Sequence, residues 1–172
     1  MRAYPYIAEA FPDARLLIVG AYDKEDKDPF VRYARIHNLT GAKFVGRVSS
    51  EELASYYKTC DVFCAPSTGF ESFGIVLLEA MAAGKPIVST SIPGYRSVMQ
   101  DGQEGLMVEP ENERALADAI IRLLRDPELG REMGARGRRK AAEYDWPIIA
   151  NRILSVYENE LRKRAEAKRH AE

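Results

Sequence analysis

CDVFCAPSTGFESFGIVLLEAMAAGKPIVST, running from Cys60 to Thr90, decides the fold. Asp61-Val62-Phe63-Cys64-Ala65 is a short β-rich apolar run, the mark of a buried strand. Pro66-Ser67-Thr68-Gly69 breaks it. Gly74 to Ala83 is apolar on nearly every side, which predicts a buried helix. Gly84-Lys85-Pro86 reads as a left-handed cap followed by proline, so the helix stops there. Ile87-Val88 then opens the next buried strand.

Glu79 does not belong in Ile75-Val76-Leu77-Leu78-Glu79-Ala80-Met81-Ala82-Ala83 on packing grounds. A buried, unpartnered carboxylate costs several kcal/mol, roughly, so something must hydrogen-bond it. Glu71 stands eight residues earlier, on the loop entering the helix. Helical side chains lean toward the N-terminus, so Glu79 reaches back toward the level of Ile75. Between the carboxylates lie Ser72, Phe73 and Gly74, where unpaired N–H groups and the positive helix end meet. Gly74 lets an anion approach its backbone. Carboxylate, anion-binding helix end, carboxylate is an order that suits a nucleotide sugar: ribose on Glu79, diphosphate on the N–H groups, hexose facing Glu71. The rise from Ser72 to Glu79 is about 10 Å, the span such a ligand needs. Spacing alone leaves a second reading open, in which Glu79 pairs with a buried arginine or a backbone amide and Glu71 is a solvated loop residue.

The full string PSTGFESFGIVLLEAMAAGKPIV resembles the donor-site signature of glycosyltransferase family 4, the retaining GT-B transferases. Pro66, Ser67, Glu71, Phe73, Gly74, Glu79, Ala80, Gly84 and Pro86 all fall in the pattern. Within that family, ESFGIVLLEAMAAG and the later EYDWPIIANRILSVYE are most similar to phosphatidylinositol mannosyltransferases. The resemblance implies a hexosyltransferase using a nucleotide-sugar donor, GDP-mannose first among candidates, with a lipid or sugar acceptor and no metal or cofactor. It implies that Glu71 orients the donor sugar and that Ser72, Phe73, Gly74, Ile75 and Glu79 bind the donor. By the same resemblance, the loop at Arg47 and Val48 touches the base. It further implies that residues 1–172 are the C-terminal donor domain alone. The first strand of that domain and the whole N-terminal acceptor domain are expected to be lacking, and the 145–172 helix is expected to lean toward the acceptor domain. Two other readings remain: a non-catalytic Rossmann-like interaction module, and a sugar-nucleotide epimerase of the same architecture.

Strands alternate with helices along the whole chain, which predicts an α/β fold: a Rossmann-like, doubly wound parallel sheet with helices on both faces. Ligands of such sheets bind at the carboxyl ends of the strands, where the Pro66–Gly74 loop leaves the Asp61–Ala65 strand. Upstream, Ala14 to Val19 and Ala42 to Val45 read as strands, the first of them buried. Tyr22 to Asp28 reads as a charged loop. Pro29 is expected to open a helix at its first position, with Phe30, Tyr33, Ala34 and His37 on one side. Ser49-x-x-Glu52 is a capping box. Downstream, a short helix near Tyr95 to Met99 and a strand at Leu106 to Val108 precede a helical remainder that starts at Asn112 and restarts at Asp126-Pro127. Asp145 caps the last helix, with Trp146 as a core anchor and Ile149, Ile153, Val156, Tyr157 and Leu161 as its stripe. Ser91, Pro93 and Gly94 either border the cleft or form a plain turn.

At 172 residues the chain makes one domain with a real core. Its formal charge of −1 argues against nucleic-acid binding. Cys60 and Cys64 read as reduced core thiols. The two histidines, His37 and His170, are too far apart in sequence to suggest a metal site. No segment reaches the length of a membrane span, and no signal peptide opens the chain, so the cytoplasm is expected. Arg136, Arg138, Arg139 and Lys140, with Arg162, Lys163, Arg164, Lys168 and Arg169, would suit peripheral contact with the inner membrane face. Glu160, Glu166 and Glu172 among them favour a solvated helix face instead.

Overall fold

Ser49 and Glu52 exchange hydrogen bonds, the Glu52 N–H donating to the Ser49 hydroxyl and the Ser49 N–H to the Glu52 carboxylate. This box starts helix α3 (Ser50–Thr59) where the sequence predicts it. Asn112 and Asp126 cap α6 (Glu113–Arg125) and α7 (Pro127–Ala141) in the same manner, accepting from the Ala115 and Leu129 N–H groups. The computed structural model describes residues 1–169. His170 and Glu172 lie outside the described residues, as do the side chains of Lys168 and Arg169. The other elements are α1 (Tyr4–Ala10), β1 (Leu16–Val19), α2 (Lys24–Ile36), β2 (Ala42–Gly46) and β3 (Phe63–Ala65). They continue with α4 (Ile75–Ala82), β4 (Ile87–Thr90), α5 (Pro93–Arg96), β5 (Gly105–Val108) and α8 (Trp146–Arg169).

Every strand pair is parallel, as a doubly wound α/β fold requires. The strands form two groups, β1-β2 and β3-β4-β5. In the second group, β4 has neighbours on both edges and is buried along its length. Leu77, Ala80 and Met81 of α4 meet Ile87, Tyr95, Val98 and Met99 in one core cluster. Gly84 ends α4 at φ +71°, its N–H bonded to the Met81 carbonyl and the Lys85 N–H to the Ala80 carbonyl. This is the left-handed cap read from the sequence.

Several expectations are corrected. Helix α2 begins at Lys24, with Pro29 inside it rather than at its start. The Asp23 carbonyl already accepts from Lys27, and a proline in the second turn removes only one later bond. Phe30 on that helix and His37 at its C-cap are exposed. The short helix after β4 begins at Pro93 and ends at Arg96. Helix α4 is not buried all round: Ile75 is 64% exposed, and Glu79 and Ala82 face outward beside it. Trp146 is 79% exposed and anchors no core. The Ile153, Val156, Tyr157 and Leu161 stripe on α8 is likewise exposed. No residue of β1 is fully buried, although Leu-Leu-Ile-Val is more apolar than the fully buried Ile-Val-Ser-Thr of β4.

The basic cluster on α7 is partly turned inward. Arg136 Nε donates to the Gln103 carbonyl at 2.7 Å. Lys140 Nζ meets buried Glu104 at 3.1 Å, and the other Glu104 oxygen accepts the Gln100 N–H at 2.9 Å. Lys140→Met therefore leaves a buried carboxylate half-paired. The expected loss is about 3 kcal/mol, read as a lower urea midpoint at pH 7, with Glu104→Gln/Lys140→Met recovering part of it.

Candidate functional site

The loop leaving β3 is tied down from the next strand's carboxyl end. Thr90 Oγ1 donates to the Ser67 carbonyl, and the Tyr95 hydroxyl donates to Ser67 Oγ at 3.0 Å. Gly94 lies backbone to backbone against Glu71: a Cβ built on it would stand 2.1 Å from the Glu71 carbonyl oxygen. Of the residues read as bordering the cleft or merely turning, Gly94 thus touches the loop directly. Gly74 has φ +87°, and a Cβ there would meet the Tyr95 ring at 2.7 Å. The glycine is required both by its backbone conformation and by this close approach.

Gly74 is the N-cap of α4, and no side chain beyond Glu71 serves that helix start. Glu71 Oε1 accepts from the Phe73 N–H at 3.3 Å and the Gly74 N–H at 3.1 Å. The N–H groups expected to hold a phosphate therefore hold a carboxylate of the same chain. The position attracts anions, as a helix start does. Ser72 and Phe73 are exposed around it, Phe73 facing Tyr144 at 5.8 Å between ring centroids. Phe70, with φ +61°, is fully exposed at the loop tip.

Glu79 lies one turn along the open face of α4 from Ile75. Its partner is neither an arginine nor a backbone amide. The Tyr57 hydroxyl of α3 donates to Glu79 Oε2 at 2.7 Å. Burial, and then the bond to Glu79, push the Tyr57 phenol well above its ordinary range, so it stays a donor. A neutral phenol orients the carboxylate without cancelling its charge, and Oε1 has no hydrogen-bond partner among the described residues. Phe63 supports the Tyr57 ring at 5.2 Å.

Sequence reasoning missed Tyr57, Thr90 and Tyr95. The one available signal for Tyr57 was an aromatic pair, Tyr56-Tyr57, on the helix just before β3. If Glu79 is a ligand's acceptor, as the sequence leads one to expect, Tyr57→Phe should weaken that ligand's binding about tenfold in calorimetry, the worth of one hydrogen bond to a charged group. Unchanged affinity would show that the bond does not orient Glu79 for a ligand.

The remaining predicted positions share no hydrogen bond with this group among the described residues. Arg47 is exposed and Val48 half-buried on the loop after β2, and among the described residues no hydrogen bond or ion pair joins either to Glu71 or Glu79. Cys60 and Cys64 are reduced and half-buried, and burial raises both thiols, Cys64 to about 11. Asp26-Lys27-Asp28, an Asp-x-Asp run, falls within α2, and among the described residues no cluster of three or more His, Cys, Asp or Glu could hold a metal. No helix among them is long and apolar enough to cross a membrane.

Fold and site layout together define a doubly wound, parallel α/β domain with an anion-attracting helix start beyond the carboxyl end of β3, and comparison with known proteins gives its family. The family described as Glycosyl transferases group 1 matches residues 1–140, and the chain belongs to that family. A phosphatidyl-myo-inositol mannosyltransferase of Mycobacterium leprae is 40% identical over 156 residues, covering 91% of this chain and 41% of the relative. A solved sucrose-phosphate synthase from Thermosynechococcus elongatus superposes with a TM-score of 0.83 at 32% identity, covering 94% of this chain and 42% of that one. The C-terminal domain of a group 1 family glycosyl transferase (LpcC) from Francisella tularensis superposes with a TM-score of 0.73 at 23% identity, covering 82% of this chain and 76% of that one. The fold is thus the GT-B half-domain, and the chain spans about two fifths of the length of the curated relatives it matches.

Proposed function

We propose that the chain is the donor-binding domain of a retaining hexosyltransferase that moves mannose from GDP-mannose to a lipid or sugar acceptor. The observation that carries this reading is the Glu71–α4–Glu79 arrangement, in which an anion already occupies the helix start and an exposed carboxylate is held ready one level along. The identity to a mannosyltransferase over 91% of this chain supports the choice of sugar.

In this reading the two ribose hydroxyls donate to Glu79, steadied by Tyr57. The diphosphate displaces the Glu71 carboxylate from the Phe73 and Gly74 N–H groups, and the Ile75 N–H adds a third donor. The released Glu71 turns to the sugar hydroxyls and orients the hexose, while Ser72 borders it. Arg47 and Val48 approach the base. The bond from the sugar's anomeric carbon to the diphosphate breaks, and an acceptor oxygen bonds the same face as its proton departs. Negative charge grows on the leaving diphosphate, where the helix end stabilises it. The acceptor enters from a facing domain, toward which the exposed stripe of α8 is directed. No metal takes part.

A non-catalytic module has one observation in its favour, the internal Tyr57–Glu79 bond. The two readings separate in calorimetry of GDP-mannose and UDP-sugars against the enzyme containing this chain, followed by a transfer assay. The transferase reading predicts saturable GDP-mannose binding, weaker UDP-sugar binding and a glycosylated acceptor with retained configuration. Absence of nucleotide binding under any condition would support the module. Isomerised nucleotide sugar with no acceptor consumed would support the epimerase.

A further inference from the structure

Phe70 stands where neither the backbone nor the packing accounts for it. Its φ of +61° lies in the left-handed region, which a side-chain-bearing residue enters only at a cost and glycine enters freely. Among the described residues, the other non-glycine residues with positive φ are Asn38, a type that tolerates this region, and Glu111 in the turn before α6. Gly69, immediately before, does not take the left-handed conformation and has open space where a Cβ would stand. The loop thus carries its glycine one position away from where the backbone favours one, and an aromatic residue at that position. No packing offsets this, since Phe70 is fully exposed.

The conformation persists because both flanks of the tip are fixed. Thr90 and Tyr95 hold Ser67 through its carbonyl and its hydroxyl. Gly94 lies against the Glu71 and Ser72 backbone, and Glu71 Oε1 accepts from the Phe73 and Gly74 N–H groups. Thr68, Gly69 and Phe70 are all that lies between these ties. Backbone held outside its preferred region by its surroundings clusters at ligand clamps and active sites. On one side Phe70 adjoins Glu71, the carboxylate assigned above to the hexose. Consecutive Cα atoms stand about 3.8 Å apart, less than the width of a pyranose ring, so a hexose on Glu71 comes within reach of the residue beside it. Such a ring has an edge of hydroxyls and a face of C–H groups. A carboxylate suits the first. An aromatic ring, with its negative face and no polar atom to leave unpaired, suits the second.

We propose that Phe70 is the apolar wall of the hexose site, its ring covering the C–H face of the donor sugar while Glu71 takes the hydroxyls. This rests on the transferase reading and adds to it a residue that separates nucleotide sugar from bare nucleotide. The immediate neighbours of Phe70 are Thr68, Gly69, Glu71 and Ser72, polar or without a side chain. One aromatic ring among polar groups fits a small polyol ring better than a lipid chain or an apolar protein face.

The test is calorimetry of GDP-mannose and GDP against the enzyme containing this chain, with urea unfolding of the 172-residue chain beside it. Phe70→Gly should leave GDP affinity unchanged and weaken GDP-mannose binding roughly fivefold, the worth of one aromatic contact. Phe70→Tyr keeps the ring face and should retain both affinities. Phe70→Gly should also raise the urea midpoint of the chain, because it relieves the left-handed backbone and uncovers no core. Weaker sugar binding in a more stable fold is a combination that damage to the fold does not produce. The proposal is overturned if Phe70→Gly weakens GDP-mannose and GDP alike, leaves both unchanged, or lowers the midpoint of the chain. A lower midpoint in the whole enzyme with a higher one in the chain would assign the ring to the facing domain and overturn it as well. Failure of the transferase reading looks different: the unaltered enzyme then binds no GDP-mannose, and the wall falls with the site.

Discussion

Gly94→Ala in the enzyme containing this chain is expected to lower kcat/KM about a hundredfold while leaving the core folded. The added Cβ would stand 2.1 Å from the Glu71 carbonyl oxygen and 3.1 Å from the Ser72 carbonyl carbon, so one side must move. Gly94 is held between buried Ile92 and buried Tyr95, whereas Ser72 and Phe73 are exposed and Phe70 projects fully into solvent. The loop is the softer side and gives way. A shift of about 1 Å at Glu71 moves the carboxylate and the N–H groups it covers, and displacements of that size cost about a hundredfold in rate. Steady-state kinetics gives the first readout. Far-UV circular dichroism and the urea midpoint of the 172-residue chain give the second. Full activity would mean that the loop's position is not set by this contact. A collapsed midpoint would place the strain in the core instead.

The second large effect lies behind the site, on α7. Gly130, Gly134 and Gly137 are buried on one side of that helix, against the turn after α4 and against Met81. They let α7 approach α4 and hold it in place. An alanine at an interior helix glycine gains about 1 kcal/mol of helix propensity. At Gly130 the new methyl would find Pro86 at 3.4 Å, an ordinary contact, so propensity wins and Gly130→Ala should stabilise by about 0.5 kcal/mol. At Gly134 the methyl would stand 2.1 Å from the Gly84 carbonyl oxygen, which belongs to the cap of α4. Backbone on both sides cannot rotate away. Overpacking of this kind costs about 3 kcal/mol and outweighs the propensity gain, for a net loss of about 2 kcal/mol. Urea unfolding of the pair checks both signs, and equal effects at the two positions would refute the contact argument.

What the sequence made legible is what is local. The Ser49–Glu52 box, the Asn112 and Asp126 caps and the Gly84 stop each rest on residues within a few positions of one another. Parallel pairing followed from the alternation of strands and helices. The partner of Glu79 was not legible, because Tyr57 is 22 residues away and only the packing of α3 against β3 brings them together. The ties from Thr90 and Tyr95 to Ser67 span 23 and 28 residues and were hidden for the same reason. Burial was overestimated at Ile75, Trp146 and β1 because apolar character shows that a surface needs covering, not what covers it. Pro29 misled because the Asp23 start lies a turn upstream, in a run whose charges read as loop.

The Glu71 contact also changes the picture of the site. In the proposed reading, a carboxylate that caps its own helix start shields the donors until the diphosphate arrives, and its release is coupled to that binding. The sequence placed the two carboxylates on either side of an anion site. In the structure one of them, Glu71, accepts from the Phe73 and Gly74 N–H groups that lie between them.

Calorimetry of the Glu79→Gln variant of the enzyme containing this chain tests the account most directly, with GDP-mannose and its 2′,3′-dideoxyribose analogue as ligands. Loss of a charged acceptor for two hydroxyls should weaken GDP-mannose binding at least about tenfold, and the variant should bind the two ligands alike. Undiminished affinity for GDP-mannose, with the preference for ribose intact, would contradict it.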